Sequence, residues 1–349
     1  MTRVAVIGGG IAGCAAAVAA AEAGCEVVLL EAARHLGGVA ARGEHRTLCG
    51  LAPIDAPTPD LIEADLTAAW VDVLARGRPW KQGRVWLWPT TAETIVAGCI
   101  RRLAQAKVHC RTASPVHGLH RDGSTLVALD ASGHRVPVDV VIDASGGPAI
   151  AALGGWAQRR PTAWGSLRLV LGVPAPDGLA ARSRLLRLLH QALGPAHLGL
   201  APIDGSSCQL SVDLPQGAAV GGEAARVEGI LAATGIPVLA TTATIAERDA
   251  GGWAGDLDAD TLFARTDRGW CWAAWPVEAH GPQGTEWHWP PRDRHGLPHD
   301  LVHPSGAPGN LLVIGRGGPM QPSAVAALRV TGTQVALGTA VGRSLVRPR

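Results

Sequence analysis

The chain has 349 residues, 47% of them hydrophobic and 17% charged, with a formal net charge of +2. That length suggests two lobes, and the composition supplies a packed core and excludes a disordered chain. The near-neutral balance leaves no electrostatic footprint for nucleic acid or an anionic membrane. The seven cysteines follow neither a C-x-x-C nor a metal-ligand spacing, so no metal site is expected, and their odd number favours a reducing, cytoplasmic setting. Twelve Trp stand beside one Phe and no Tyr, which excludes a phenol as acid or base.

In chain order, Val4 to Ile7 are apolar strand formers that run into Gly8-Gly9-Gly10-Ile11-Ala12-Gly13. No signal peptide is expected, because Thr2-Arg3 leads directly into this strand. An Ala-rich helix from Cys14 to Ala23, a stop at Gly24 and a second strand from Glu26 to Leu30 follow, and that strand ends on Glu31. The G-x-G-x-x-G in this setting predicts a βαβ unit that binds a dinucleotide. Gly8 allows the tight turn, Gly10 lets backbone approach a pyrophosphate, and Gly13 lets the helix lie close on the sheet. The N–H groups at the helix start face the phosphates, and Glu31 accepts hydrogen bonds from ribose hydroxyls.

Val39 to Leu51 reads as a polar connection in which His45 and Cys49 are the reactive side chains, and both are candidate catalytic residues. Pro53 to Pro59 is loop. Asp60, with Glu63 three residues later, predicts a capped helix to about Ala75. A strand at Val85–Pro89, a helix from Thr91 to about Ala106 and a strand at Val108–Arg111 come next. Val116 opens a hairpin that turns at Asp122-Gly123-Ser124, with a second turn at Ser132-Gly133. Val138 to Asp143 is a buried-type strand that ends in the small residues Ala144-Ser145-Gly146. From Ala149 to Ser305, runs such as Ser166–Val173 and Gln209–Leu214 alternate with period two and predict an antiparallel sheet walling a substrate cavity, with a helix around Leu185 to Leu193. Trp270, Trp272 and Trp275 lie in one run, where alternation fits either a flat apolar wall for an aromatic substrate or core packing, and Trp272 is a candidate site residue. The histidines at 295, 299 and 303 read as loop rather than as metal ligands. Asn310 to Gly315 is a strand that enters a Gly turn, and 323–342 reads as helix.

Glu31 followed by five residues and Gly37-Gly38 resembles the signature of the FAD-dependent oxidoreductases. Asp143-Ala144-Ser145-Gly146 resembles that family's A-T-G-type turn, and the Gly315-Arg316 turn with the helix after it resembles the family's ending. Gly269–Pro276 is similar to a Trp-rich region of flavin-dependent halogenases and related monooxygenases. The resemblance implies FAD as cofactor, with contacts from Gly8, Gly10, Ala12, Gly13, Glu31, Ala32, Gly37, Gly38, Val116, Ala144, Gly315, Arg316, Val330, Thr331, Gly332 and Thr333. Arg42 or Arg46 fits a diphosphate contact and a solvated loop equally well.

The architecture expected from this resemblance is α/β. A Rossmann-like, ββα-type three-layer FAD-binding domain spans 1–50, 95–148 and 305–349, and an α+β antiparallel-sheet substrate domain spans 51–94 and 149–304. The expected activity is that of a flavin monooxygenase using a C4a-hydroperoxide on an aromatic or Trp-like acceptor. That acceptor is a small molecule or a Trp of a partner protein whose quinone cofactor is being built. A dehydrogenase or oxidase of a small molecule and a non-catalytic FAD-binding assembly factor are the alternatives. With no second G-x-G-x-x-G, reducing equivalents are expected from a separate flavin reductase or from transient NAD(P)H. A halogenase would need a lysine between flavin and substrate, and Lys81 is the candidate.

Overall fold

The computed structural model describes residues 1–345, apart from 124, 131–132, 148, 157–163, 176–178, 195–197, 216–217, 243–245, 248–254 and 282–283. The hairpin-turn residues Ser124 and Ser132 therefore lie outside the described residues.

Five parallel strands form the central sheet, in the order Leu311–Val313, Val140–Asp143, Arg3–Ile7, Glu26–Leu30 and His109–Arg111. The two strands from the ends of the chain, Leu311–Val313 and Arg3–Ile7, flank the same neighbour, Val140–Asp143. The first helix, Ile11–Glu22, is buried along most of its length because its Ala-rich faces sit between the sheet and the last helix, Thr331–Ser344. Contact between these two helices needs glycine. A Cβ on Gly338 would stand 2.3 Å from Ala12 O, and one on Gly342 would stand 2.3 Å from Ala16 O. The other side of the sheet packs on the three-stranded meander Val116–Asp122, Thr125–Asp130 and Arg135–Val138.

A second, antiparallel sheet holds Leu198–Pro202, Cys208–Pro215, Trp164–Leu171 and Val238–Thr241, with Ala246–Glu247 paired at its edge. Period two splits its side chains between two environments. Leu167, Leu169, Leu171, Leu210, Val212 and Leu214 pack under the helices Leu179–Leu193 and Val220–Ala233. The alternate positions Ser166, Arg168, Gln209 and Asp213 are polar and equally buried. A sheet whose second face were solvated would expose such groups, so this face is covered by the rest of the molecule.

Four local expectations change. Asp60 does not cap a helix; its carboxylate accepts from the Thr58 hydroxyl, and the helix starts at Ala64. Glu63 is the residue before that helix, and its buried carboxylate is turned to Arg268 and to the Trp272 backbone N–H, so it is withdrawn from capping. The connection after Gly38 holds a short helix, Gly38–Arg42. The segment read as one helix over 323–342 is two, Pro322–Leu328 and Thr331–Ser344, bent by 92°. Val330 at the break is extended, with ψ 152°, and a fresh helix N-terminus opens behind it. The Trp-rich run forms only a two-residue strand, Trp272–Ala273, paired with His295–Gly296. Among the described residues, no single helix is long and apolar enough to cross a membrane, and the one pair that passes by length and composition is this bent one.

Candidate active site

A cavity of about 280 Å³ opens at the carboxyl ends of the parallel strands, where ligands of open α/β sheets bind. Its floor is the turn between the first strand and the first helix. Gly8 has φ +112°, and a Cβ there would stand 2.3 Å from Ala144 O. Gly13 is a packing glycine whose added Cβ would stand 2.0 Å from Gly8 O. Gly10 differs from both, since an added Cβ would meet nothing closer than Gly38 Cα at 3.9 Å. Its open side faces the cavity, so the first N–H groups of the helix, which have no side-chain cap, are within reach of a ligand phosphate.

Glu31 closes one end of the cavity. Its carboxylate accepts from Gly9 N–H at 2.5 Å and from Ala33 N–H at 2.7 Å. Two backbone donors fix the carboxylate, and its remaining lone pairs are available to sugar hydroxyls. Gly37 and Gly38, both at positive φ, bring the following segment against the Gly10 turn, so that Gly10 and Gly37 form a bridge. Opposite, Asp143 ends its strand buried and accepts from Ser145 and from the N–H groups of Ile150 and Ala151. Burial pushes its pKa up, and these hydrogen bonds oppose the rise. Asp143 thereby shapes the Ala144-Ser145-Gly146 wall.

The far wall comes from the C-terminal segment through Gly315, Arg316, Arg329, Thr331 and Gln334. Thr333 Oγ1 and Gln334 Oε1 are buried beside the start of the last helix and have no hydrogen-bond partner. Gly332 cannot carry a side chain, because a Cβ there would stand 2.4 Å from Gly50 O, and its N–H donates to Cys49 O.

Of the residues singled out by sequence, Gly8, Gly10, Ala12, Glu31, Ala32, Gly37, Gly38, Arg42, His45, Ala144, Gly315, Arg316 and Thr331 line this one cavity. Gly13, Val330, Gly332 and Thr333 lie behind its wall, where they set backbone and packing. Val116 opens the first strand of the meander, partly buried against the cluster under the sheet, and is not in the cavity lining. Cys49 packs against the cluster of Leu87, Trp275 and Val330. Trp272 is also outside the cavity lining; its N–H donates to Glu63, and the Arg294 guanidinium lies 5.2 Å over its ring. Lys81 is on an exposed strand and donates to the carbonyls of Asp55 and Ala56, so the halogenase reading loses its lysine. Sequence reasoning did not single out Ile11, Ala33, Val39, Ala40, Arg329 and Gln334. Only Arg329, beside the last Gly-containing helix start, carried any signal, and that signal was hidden by the bend.

The FAD dependent oxidoreductase family matches residues 3–168 and 258–345, more than half of the chain. The chain belongs to the FAD-dependent oxidoreductases. The cavity fits that cofactor: the side-chain-free approach at Gly10, the fixed Glu31 carboxylate and the unpartnered Gln334 Oε1 on the lining meet the needs of a long, polar dinucleotide. The oxidoreductase also shares its fold with Diels-Alderase PyrE3 in the biosynthetic pathway of pyrroindomycins (13% identity, TM-score 0.52, covering 94% of this chain and 62% of that one). A variant of 2-methyl-3-hydroxypyridine-5-carboxylic acid oxygenase is similar (13%, TM-score 0.51, 96% and 80%), as is FqzB (14%, TM-score 0.50, 96% and 72%). The chain spans 62% of the length of PyrE3. No curated protein matches it by sequence. Residues 169–257 of the oxidoreductase, which supply most of the antiparallel sheet and both helices over it, fall outside the family match.

Proposed function

We propose that this FAD-dependent oxidoreductase is a monooxygenase acting on a small aromatic acceptor. The observation that carries the reading is the buried polar face of the antiparallel sheet. Gln209 from that face donates to Glu44 O, beside the cavity residue His45, and Asp213 from the same face bonds His280, which in turn meets Arg329 on the cavity wall. A wall of fixed polar groups over a flavin is suited to orienting an acceptor and excluding water. That an oxygenase of a hydroxypyridine acid shares the fold supports the same reading.

FAD held in this cavity would supply the redox chemistry, electron uptake and transfer to oxygen. The protein's part is binding and orientation. Glu31 holds the sugar end, the first helix N-terminus and the cations Arg42 and Arg316 hold negative charge along the cavity, and the last helix directs its N-terminus at Thr331 into the opposite end. His45 is the imidazole on the lining, placed to hold or pass a proton at the cavity rim.

The test is to reduce the FAD-loaded enzyme anaerobically, admit 18O2 with a panel of phenols and indoles, and look by mass spectrometry for a product heavier by one labelled oxygen atom. Reduction of the flavin by a substrate without oxygen, with no labelled product from any acceptor, would sink the monooxygenase reading in favour of a dehydrogenase.

A further inference from the structure

Behind the cavity wall lies a buried ionic chain that FAD binding alone does not call for. Arg329 terminates the helix Pro322–Leu328 and lines the cavity. Its Nη2 donates to Glu278 Oε2 at 2.8 Å and meets His280 Nε2 at 2.9 Å. A guanidinium has only donors, so in this contact His280 Nε2 is the acceptor and the ring N–H is on Nδ1. That proton faces Asp213 Oδ2 at 2.5 Å. The His280 and Asp213 side chains are 1% and 0% exposed. Among the described residues, Thr285 brings its hydroxyl to 3.3 Å from Nδ1, Glu278 Oε1 lies 3.7 Å from Nε2, and Arg168 shares the sheet face of Asp213 through the Arg168–Ser211 pairing.

Each link removes one freedom of the next. Asp213 sets the tautomer of His280, and the tautomer leaves Nε2 as an acceptor. That acceptor and Glu278 then fix both protons of one Arg329 nitrogen. Burying such a chain is costly unless each member is satisfied. We propose that Arg329 is a cation that tunes the bound FAD toward its reduced, more negative form, and that Asp213, His280 and Glu278 are its positioning residues. The antiparallel sheet is then coupled electrostatically to the cofactor cavity. This inference rests on FAD binding and not on oxygen chemistry, so it stands or falls separately from the monooxygenase reading.

The test measures the midpoint potential of bound FAD by equilibration with a reference dye, together with the dissociation constant of oxidised FAD. Arg329→Met is expected to lose about tenfold of the preference for reduced over oxidised cofactor, about 30 mV for a two-electron couple, while Arg329→Lys keeps most of it. His280→Leu, which is charge-neutral, is expected to shift the potential in the same negative direction, and that shift is expected to vanish when combined with Arg329→Met. A merely structural role for His280 would lower stability and leave the potential shift intact in the Arg329→Met background, and that result overturns the relay. An unchanged potential in Arg329→Met overturns the whole proposal. Should Arg329→Met not retain FAD, His280→Leu decides: an unchanged potential refutes, and a negative shift at wild-type affinity supports.

Discussion

At the scale of single residues, the cavity depends on atoms that are held rather than merely present. Glu31 was legible in the sequence because strand, turn, helix, strand and acid form one continuous stretch. Its grip on Gly9 and Ala33 was not legible, since it depends on where two turns meet. Glu31→Gln keeps the shape and loses the charge, so it is expected to weaken FAD binding about tenfold, read by flavin fluorescence titration. His295 makes a different point. It was read as a loop histidine, yet it is wholly buried beside Phe263, neither ring nitrogen has a hydrogen-bond partner, and burial lowers its pKa to about 4. The unfolded chain binds this proton near pH 6.5 and the folded one only near 4. The imidazole's contribution is therefore fully present above about pH 6.5 and is lost as pH falls toward 4, by about 3 kcal/mol in all. Denaturant melts across that range are expected to show a one-proton slope that His295→Gln lacks.

Among elements, the pairing of the first and last helices does most to shape the site, because both direct their N-termini at the cavity. The small residues along each helix were visible as composition, but their purpose appears only when the helices touch. Gly338→Ala would place a Cβ 2.3 Å from Ala12 O, against backbone that cannot rotate away. We expect a loss of about 1–3 kcal/mol in denaturant unfolding together with weaker FAD binding, as the two N-termini part. The bend at Arg329 and Val330 escaped sequence reading for a related reason. Neither residue is Gly or Pro, and the weak helix formers Val330, Thr331, Gly332 and Thr333 that follow are only a soft local signal for a break, which the small-residue pattern on either side outweighed. The turn is imposed by Gly332 docking on Gly50, a contact between segments far apart in the chain. Glu63 shows the same effect at a helix start. Read as a capping partner, it instead clasps Arg268 and the Trp272 N–H across a long sequence gap. Glu63→Gln is expected to destabilise by about 1–3 kcal/mol, since Arg268 is partly exposed and water screens its share.

Across the whole molecule, the FAD cavity is assembled from both ends of the chain and from the Ala144 turn near the middle, so cofactor binding and global stability are linked. Saturating FAD is expected to raise the melting temperature, with a stabilisation of about 2.7 kcal/mol at a free concentration a hundredfold above the dissociation constant. No rise in differential scanning calorimetry would contradict this assembly. The same fold carries an oxygenase and a Diels-Alderase, so architecture alone does not choose the reaction. By itself, the sequence determined the dinucleotide turn, its acid and the FAD signatures, because these chemistries need particular residue types at short, fixed spacings. Only the tertiary structure decided that Arg329 and Gln334 join the cavity, that Trp272 and Cys49 stand outside its lining, and that Asp213 reaches the cavity through His280. Those placements come from contacts between distant segments, for which local spacing carries no signal.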